Sequence, residues 1–183
     1  MSVNRTYMDY PKSCLLDKEH VIIDGLATDM TFGNIRTNYL VGILTSNGKL
    51  KPMQRAVVES LNSKTITLQA AGRAAFFKVG DALTLLHSDT ESSLGNIESV
   101  NLKNNTITFD GTGSPAKNDE VYVKDGSETP VGIAMNDLSS TDTTQVYFLD
   151  YLLHGIVNSD LIPNYCAAAA TALPHIFFRA RGT

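Results

Sequence analysis

The sequence predicts a mainly β protein with one short C-terminal α-helix. Three observations carry that expectation. Apolar and polar residues alternate with period two in two central stretches, Val58 to Leu68 and Ile97 to Phe109, which turns one face of each strand inward and the other outward. Turn-forming pairs such as Asp24-Gly25 and Asn47-Gly48 punctuate the apolar runs, because glycine and asparagine tolerate positive φ. Near the C-terminus, Tyr165 to Leu173 is rich in alanine, the best helix former.

Taken in order, residues 1–35 are mixed and aperiodic and read as an N-terminal arm, with Val21-Ile22-Ile23 a short strand and Asp24-Gly25 a turn. Tyr39 to Thr45 is an apolar strand, and after the Asn47-Gly48 turn Lys49 to Met53 returns as its hairpin partner. Pro52 lacks an N–H and belongs at a strand end or sheet edge. Pro130 to Ala134 and Gln145 to Leu153 resume the apolar strand pattern. Pro163 suits the first turn of a helix, Pro174 stops that helix, and Ile176-Phe177-Phe178 suits a closing strand.

The middle of the chain holds an internal repeat. Val58-Glu59-Ser60-Leu61-Asn62 recurs as Ile97-Glu98-Ser99-Val100-Asn101, and Thr65-Ile66-Thr67 as Thr106-Ile107-Thr108. Downstream, Val79 to Leu85 matches Lys117 to Val123. Each copy reads as hairpin, loop, strand, and one copy alone is too small to bury its own face. Residues 55–125 are therefore expected to form a compact barrel or sandwich, inserted between two pieces of one outer domain, 36–54 and 126–183. A ligand-binding barrel is the functional alternative for the repeat, but its loops lack converging polar or aromatic side chains.

Composition narrows the function classes. Over 183 residues, 43% hydrophobic content is enough for a sizeable core, and 19% charged residues leave a net charge of −4. That balance argues against a general nucleic-acid binder, which needs a basic face, and no lysine or arginine run suits an anionic membrane. No apolar stretch approaches a membrane span or a signal peptide. The two cysteines, Cys14 and Cys166, read as free thiols, one in a polar arm and one in an apolar helix.

Residue types able to do chemistry are scattered. His20, His87, His154 and His175 are isolated, without a second ligand at close spacing, so no metal site and no oriented base is expected. Asp81 and Asp119 occupy equivalent places in the repeat. A carboxylate pair for acid–base work is one reading; two turn caps created by duplication is the favoured one. The chain has no P-loop, no GxGxxG and no Gly-x-Ser-x-Gly elbow, and no cofactor is expected.

One resemblance runs through the outer pieces. Tyr39 to Leu44 with Gly48-Lys49-Leu50, Pro130 to Ala134, Gly155-Ile156-Val157-Asn158 with Leu161, and Ile176 to Arg179 follow one another in an order and spacing that resembles the phage lambda-type head decoration proteins. The resemblance covers about half the chain; the 55–125 insert is a departure from a minimal family member. It implies a β-clip-like core, a homotrimer without enzymatic activity, the major capsid protein as partner, and a place on the outer surface of a virion after synthesis in a bacterial host cytoplasm. It also implies an arm that orders on the capsid by adding a strand. Residues 5–16 have the composition for that, with Tyr7, Met8, Tyr10, Leu15 and Leu16 as candidate anchors, and Asn47, Ala167 and Ala170 as trimer-interface candidates. The insert is then free for an external partner. A tail or baseplate structural component is the alternative, and a β-clip enzyme a more distant one.

Overall fold

The computed structural model describes residues 3–4, 14–16, 20–139 and 145–180. The chain is mainly β with a single short α-helix. It divides into two compact units, Met1–Met53 with Thr129–Thr183, and Gln54–Glu128.

In the first unit the strands are β1 (Val3–Asn4), β2 (Val21–Ala27), β3 (Leu40–Ile43) and β4 (Leu50–Pro52). The second unit supplies β5 (Arg55–Asn62), β6 (Thr65–Leu68), β7 (Ala82–His87), β8 (Thr90–Asn101), β9 (Thr106–Phe109) and β10 (Glu120–Val123). The chain then returns to the first unit with β11 (Pro130–Ala134), β12 (Phe148–Asn158), α1 (Ala167–Ala172) and β13 (Ile176–Arg179).

The first unit is one sheet in the order β1-β2-β12-β11-β3-β4, with β13 added in parallel to the far end of β12. Consecutive residues go to opposite faces, and both faces are apolar. Leu40, Ile133, Leu152 and Val157 join Ile22, Met135, Ala169 of α1 and Ile176 in one buried cluster. Their neighbours Val41 and Ala134 join Ile35, Leu50 and Leu149 in another. Asn164, fully buried, ties the hairpin to the segment before α1. Its Oδ1 accepts from Leu40 N–H at 2.8 Å, and its Nδ2 donates to Leu40 O at 2.9 Å and Met53 O at 3.1 Å. Every polar atom of that side chain is thus satisfied away from water, the condition for burying an amide at low cost.

Several expectations need correction here. The arm does not extend over 1–35. Val21–Ala27 is an interior strand of the sheet, paired with β1 on one side and β12 on the other. Ile22 and Ile35 are core residues, and Cys14 is fully buried in the first cluster rather than in a polar arm. Asp24-Gly25 is not a turn. Ile23 pairs with Tyr151 and Leu26 with Leu149, so the pair forms a β-bulge within β2; Gly25, at φ 70°, adopts the left-handed conformation such a bulge needs. The helix starts after Cys166, so Pro163 precedes it instead of opening it.

The second unit is a closed six-stranded barrel in the order β10-β5-β6-β9-β8-β7. The sequence repeat reappears in its register. β6 meets β9 with Ile66 opposite Ile107, and β7 meets β10 with Thr84 opposite Tyr122. Both are pairs of repeat-equivalent residues, so a local two-fold axis passes through them. Hydrogen bonds obey the same symmetry: Val58 N–H donates to Asp119 O at 2.8 Å, and Ile97 N–H donates to Asp81 O at 2.9 Å. Both hairpins carry a bulge at the same place, between Val58 and Ser60 and between Ile97 and Ser99. The inward side chains Val58, Ile66, Leu68 and Leu83 and their equivalents Ile97, Ile107, Phe109 and Val121 are all buried, so the interior is a packed core, as expected for a barrel this narrow.

Candidate docking face

Among the described residues, the first unit leaves large apolar side chains exposed at both ends of β12, Val146 and Phe148 at its start and Leu16, Leu161 and Phe177 around its far end. Leu15 bridges Val157 in antiparallel register, with Leu16 N–H donating to Ile156 O at 2.7 Å and Asn158 N–H to Cys14 O at 2.7 Å. On β12 and β13, Ile156 pairs with Phe177 and Val157 with Phe178. Two rows therefore cross the sheet. Leu15, Val157 and Phe178 turn toward the first core cluster. Leu16, Ile156 and Phe177 turn the other way: Leu16 is 57% exposed, Phe177 is 59% exposed and Ile156 is half-buried. Strands of one sheet lie about 4.8 Å apart, so the three side chains form a continuous apolar strip. Along β12, a register shift between Leu152 and His154 turns Leu153 outward, and it too is exposed. Covering a leucine or phenylalanine of this kind contributes roughly 1.5–3 kcal/mol. Contiguous exposed apolar residues, unlike isolated ones, are a candidate contact surface.

The sequence-derived candidates divide around this strip. Tyr7, Met8 and Tyr10 lie outside the described residues. Leu16 is part of the strip. Leu15 is not a free anchor; it packs against the first core cluster because its register with Val157 points it inward. Asn47 is exposed in the β3–β4 connection, where its Oδ1 accepts from Lys49 N–H at 2.9 Å and shapes the turn. Ala167 and Ala170 are exposed on α1, while Ala169 between them is the residue that enters the core. Phe177 and Ile156 were not singled out from sequence. The run Ile176-Phe177-Phe178 signals a strand, but not which of its residues is left bare.

Elsewhere the two repeat-equivalent aspartates each hold a turn. Asp81 accepts from Lys78 N–H at 3.1 Å and Asp119 from Ala116 N–H at 2.8 Å, the same cap in each repeat. Asp119 also holds His87 Nδ1 at 2.8 Å, whereas Asp81 holds Gln54 Nε2 at 2.7 Å. On the barrel wall, Glu91 accepts from Tyr122 Oη at 2.6 Å and from Lys124. The Lys124 and Tyr122 hydrogen bonds hold the Glu91 carboxyl below its usual range, and burial, reinforced by that carboxylate, pushes the Tyr122 hydroxyl far up. Burial likewise pushes the Cys14 thiol up to about 12, which leaves it protonated and unreactive at neutral pH. Among the described residues, no group of three His, Cys, Asp or Glu side chains could hold a metal ion, and no helix is long and apolar enough to cross a membrane.

No family model, curated protein or solved structure matches this chain.

Proposed function

We propose that this protein is a structural component of a phage virion. Acting as a homotrimer, it binds the outer surface of the expanded capsid at local three-fold axes, contacts the major capsid protein, and cements the head. The observation that carries the proposal is the exposed strip of Leu16, Ile156 and Phe177, together with the resemblance of the flanking segments to lambda-type decoration proteins. The strip offers contact area, and the backbone of residues 14–16, already paired to β12, leads directly from residues 5–13. Docking at a three-fold axis needs a heterologous contact that closes after three copies. Binding only the expanded shell stabilises it by mass action, which calls for a surface and not a reaction centre.

The test is co-sedimentation with expanded shells of the cognate capsid protein, comparing the parent with a Leu16→Asp, Phe177→Asp double variant. The expected result is at least about a tenfold loss of affinity, since buried aromatic anchors dominate such interfaces. A double variant that keeps the parent's circular dichroism and decorates shells to the parent's occupancy would overturn the docking face. Electron microscopy of decorated shells that places the protein away from the local three-fold axes would overturn the three-fold arrangement.

A further inference from the structure

We infer that the barrel is a strand-exchanged pair of repeats, and that the surface each repeat presents fits the opposite repeat of a second copy of this chain. The first repeat, β5-β6-β7, does not close on itself. Its third strand β7 pairs with β8 and β10, both from the second repeat. Reciprocally, β10 pairs with β5 and β7, both from the first. Each repeat therefore keeps one internal pairing, its own hairpin, and gives its third strand to the other.

The repeats are joined only through the β7–β8 connection, where His87 pairs with Thr90. The two residues between them, Ser88 at φ 48° and Asp89 at φ 62°, both sit in the left-handed region. A two-residue turn of this kind favours Asn-Gly or Asp-Gly; Asp89 shares that tolerance of the left-handed region, whereas Ser88 lacks it and carries the strain. Opening the turn relieves the strain and breaks no pairing that a second chain cannot restore. Residues 1–87 of one copy are completed by residues 90–183 of another, and every strand finds the same partner sequence. Short, strained hinges between self-complementary halves favour such exchange. The hinge lies in the second unit, but exchange at it also completes residues 1–53 of one copy with residues 129–183 of the other; the inference stands whether or not the chain decorates a capsid.

Thr65 and Thr108 supply the test. They face each other across β6 and β9, with their hydroxyls 3.0 Å apart. In the full chain carrying Thr65→Cys and Thr108→Cys, a disulfide is intramolecular in the closed form and intermolecular in the exchanged form. The protein is refolded from denaturant over a range of concentrations, oxidised and run on a non-reducing gel. The expected result is a covalent dimer whose fraction rises in proportion to refolding concentration. Deleting Ser88 and Asp89 makes it the main product, and replacing the pair by Ser88→Asn with Asp89→Gly suppresses it. Intramolecular crosslinks alone, at every concentration in the parent background, would overturn the inference even if the deletion variant fails to fold. So would a Thr65→Cys single variant that gives as much covalent dimer, because exchange brings residue 65 to residue 108 and not to another residue 65.

Discussion

The two units solve the problem of strand edges in opposite ways. The barrel closes, so each of its six strands has two neighbours, and among its described residues only Val79 and Leu102 are large exposed hydrophobics. The sheet of the first unit stays open. β4 ends it with Pro52, which cannot donate, but among the described residues β13 is paired with β12 alone, and Leu16, Val146, Phe148, Leu153, Leu161 and Phe177 are all exposed. A closed barrel has nothing left to pair unless a hinge opens, whereas an open sheet with an apolar outer strip is built to be covered. On the two proposals above, the fixed docking surface lies in the first unit and the hinge for exchange lies in the second.

Truncating one core residue in each unit tests that separation most severely. Phe109, fully buried in the barrel, should lose roughly 3–5 kcal/mol on replacement by alanine. Asn164→Ala in the first unit leaves Leu40 N–H, Leu40 O and Met53 O without their partner, a cost of about 2–4 kcal/mol. In calorimetry each variant should lower one transition and spare the other. A single transition that falls in both variants would mean that the two units unfold as one.

A smaller effect sharpens the comparison within the barrel. Ala56 and Gly95 are equivalent in the repeat and face β10 and β7 in equivalent register, yet they are not interchangeable. Gly95 has φ 84°, and a Cβ there would lie 2.7 Å from Gly111 N and 2.1 Å from Asp110 Oδ1. Gly95→Ala should therefore cost about 2 kcal/mol, and Ala56→Gly about 1 kcal/mol. Equal losses in urea titrations would show the local two-fold symmetry to be tighter than the φ angles imply.

The smallest expected effect concerns pH. The Asp137 carboxyl is held below its usual range by the backbone N–H and then the hydroxyl of Thr37, with Arg36 nearby. A depressed carboxylate contributes stability above its unfolded pKa and loses it as pH falls through the folded value. Acidification below about pH 4 should therefore weaken the first unit more in the parent than in Asp137→Asn. Because the group is more than half exposed, solvent screening limits the difference to about 0.5 kcal/mol or less. Thermal melts of the two proteins between neutral and acid pH measure it.

Strand content and the repeat were legible from sequence because they depend on nearest neighbours. Period-two alternation around Ile66 and Ile107 reports a face, and a face requires no knowledge of what lies against it. The Asn47-Gly48 hairpin and the Ala-rich helix are equally local. The burial of Cys14, Leu15 and Ile35 was not legible because it depends on contacts far along the chain. Cys14 bonds to Asn158 and Asn38, Leu15 pairs with Val157, and Ile35 bridges Leu138. The exposed apolar strip was hidden for the same reason. Leu16, Ile156 and Phe177 become neighbours only through one antiparallel and one parallel register, and nothing local distinguishes Phe177 from Phe178.

By itself, the sequence determined that this is a β protein with a duplicated insert and one short helix, since alternation, turn chemistry and alanine content act over a few residues. Only the tertiary structure decided that the insert closes as a strand-exchanged barrel, that the segment at 14–27 belongs to the sheet, and that one apolar row is left bare. Those outcomes turn on which strand lies beside which, and pairing between distant segments is set by the fit of whole faces, which no local pattern records.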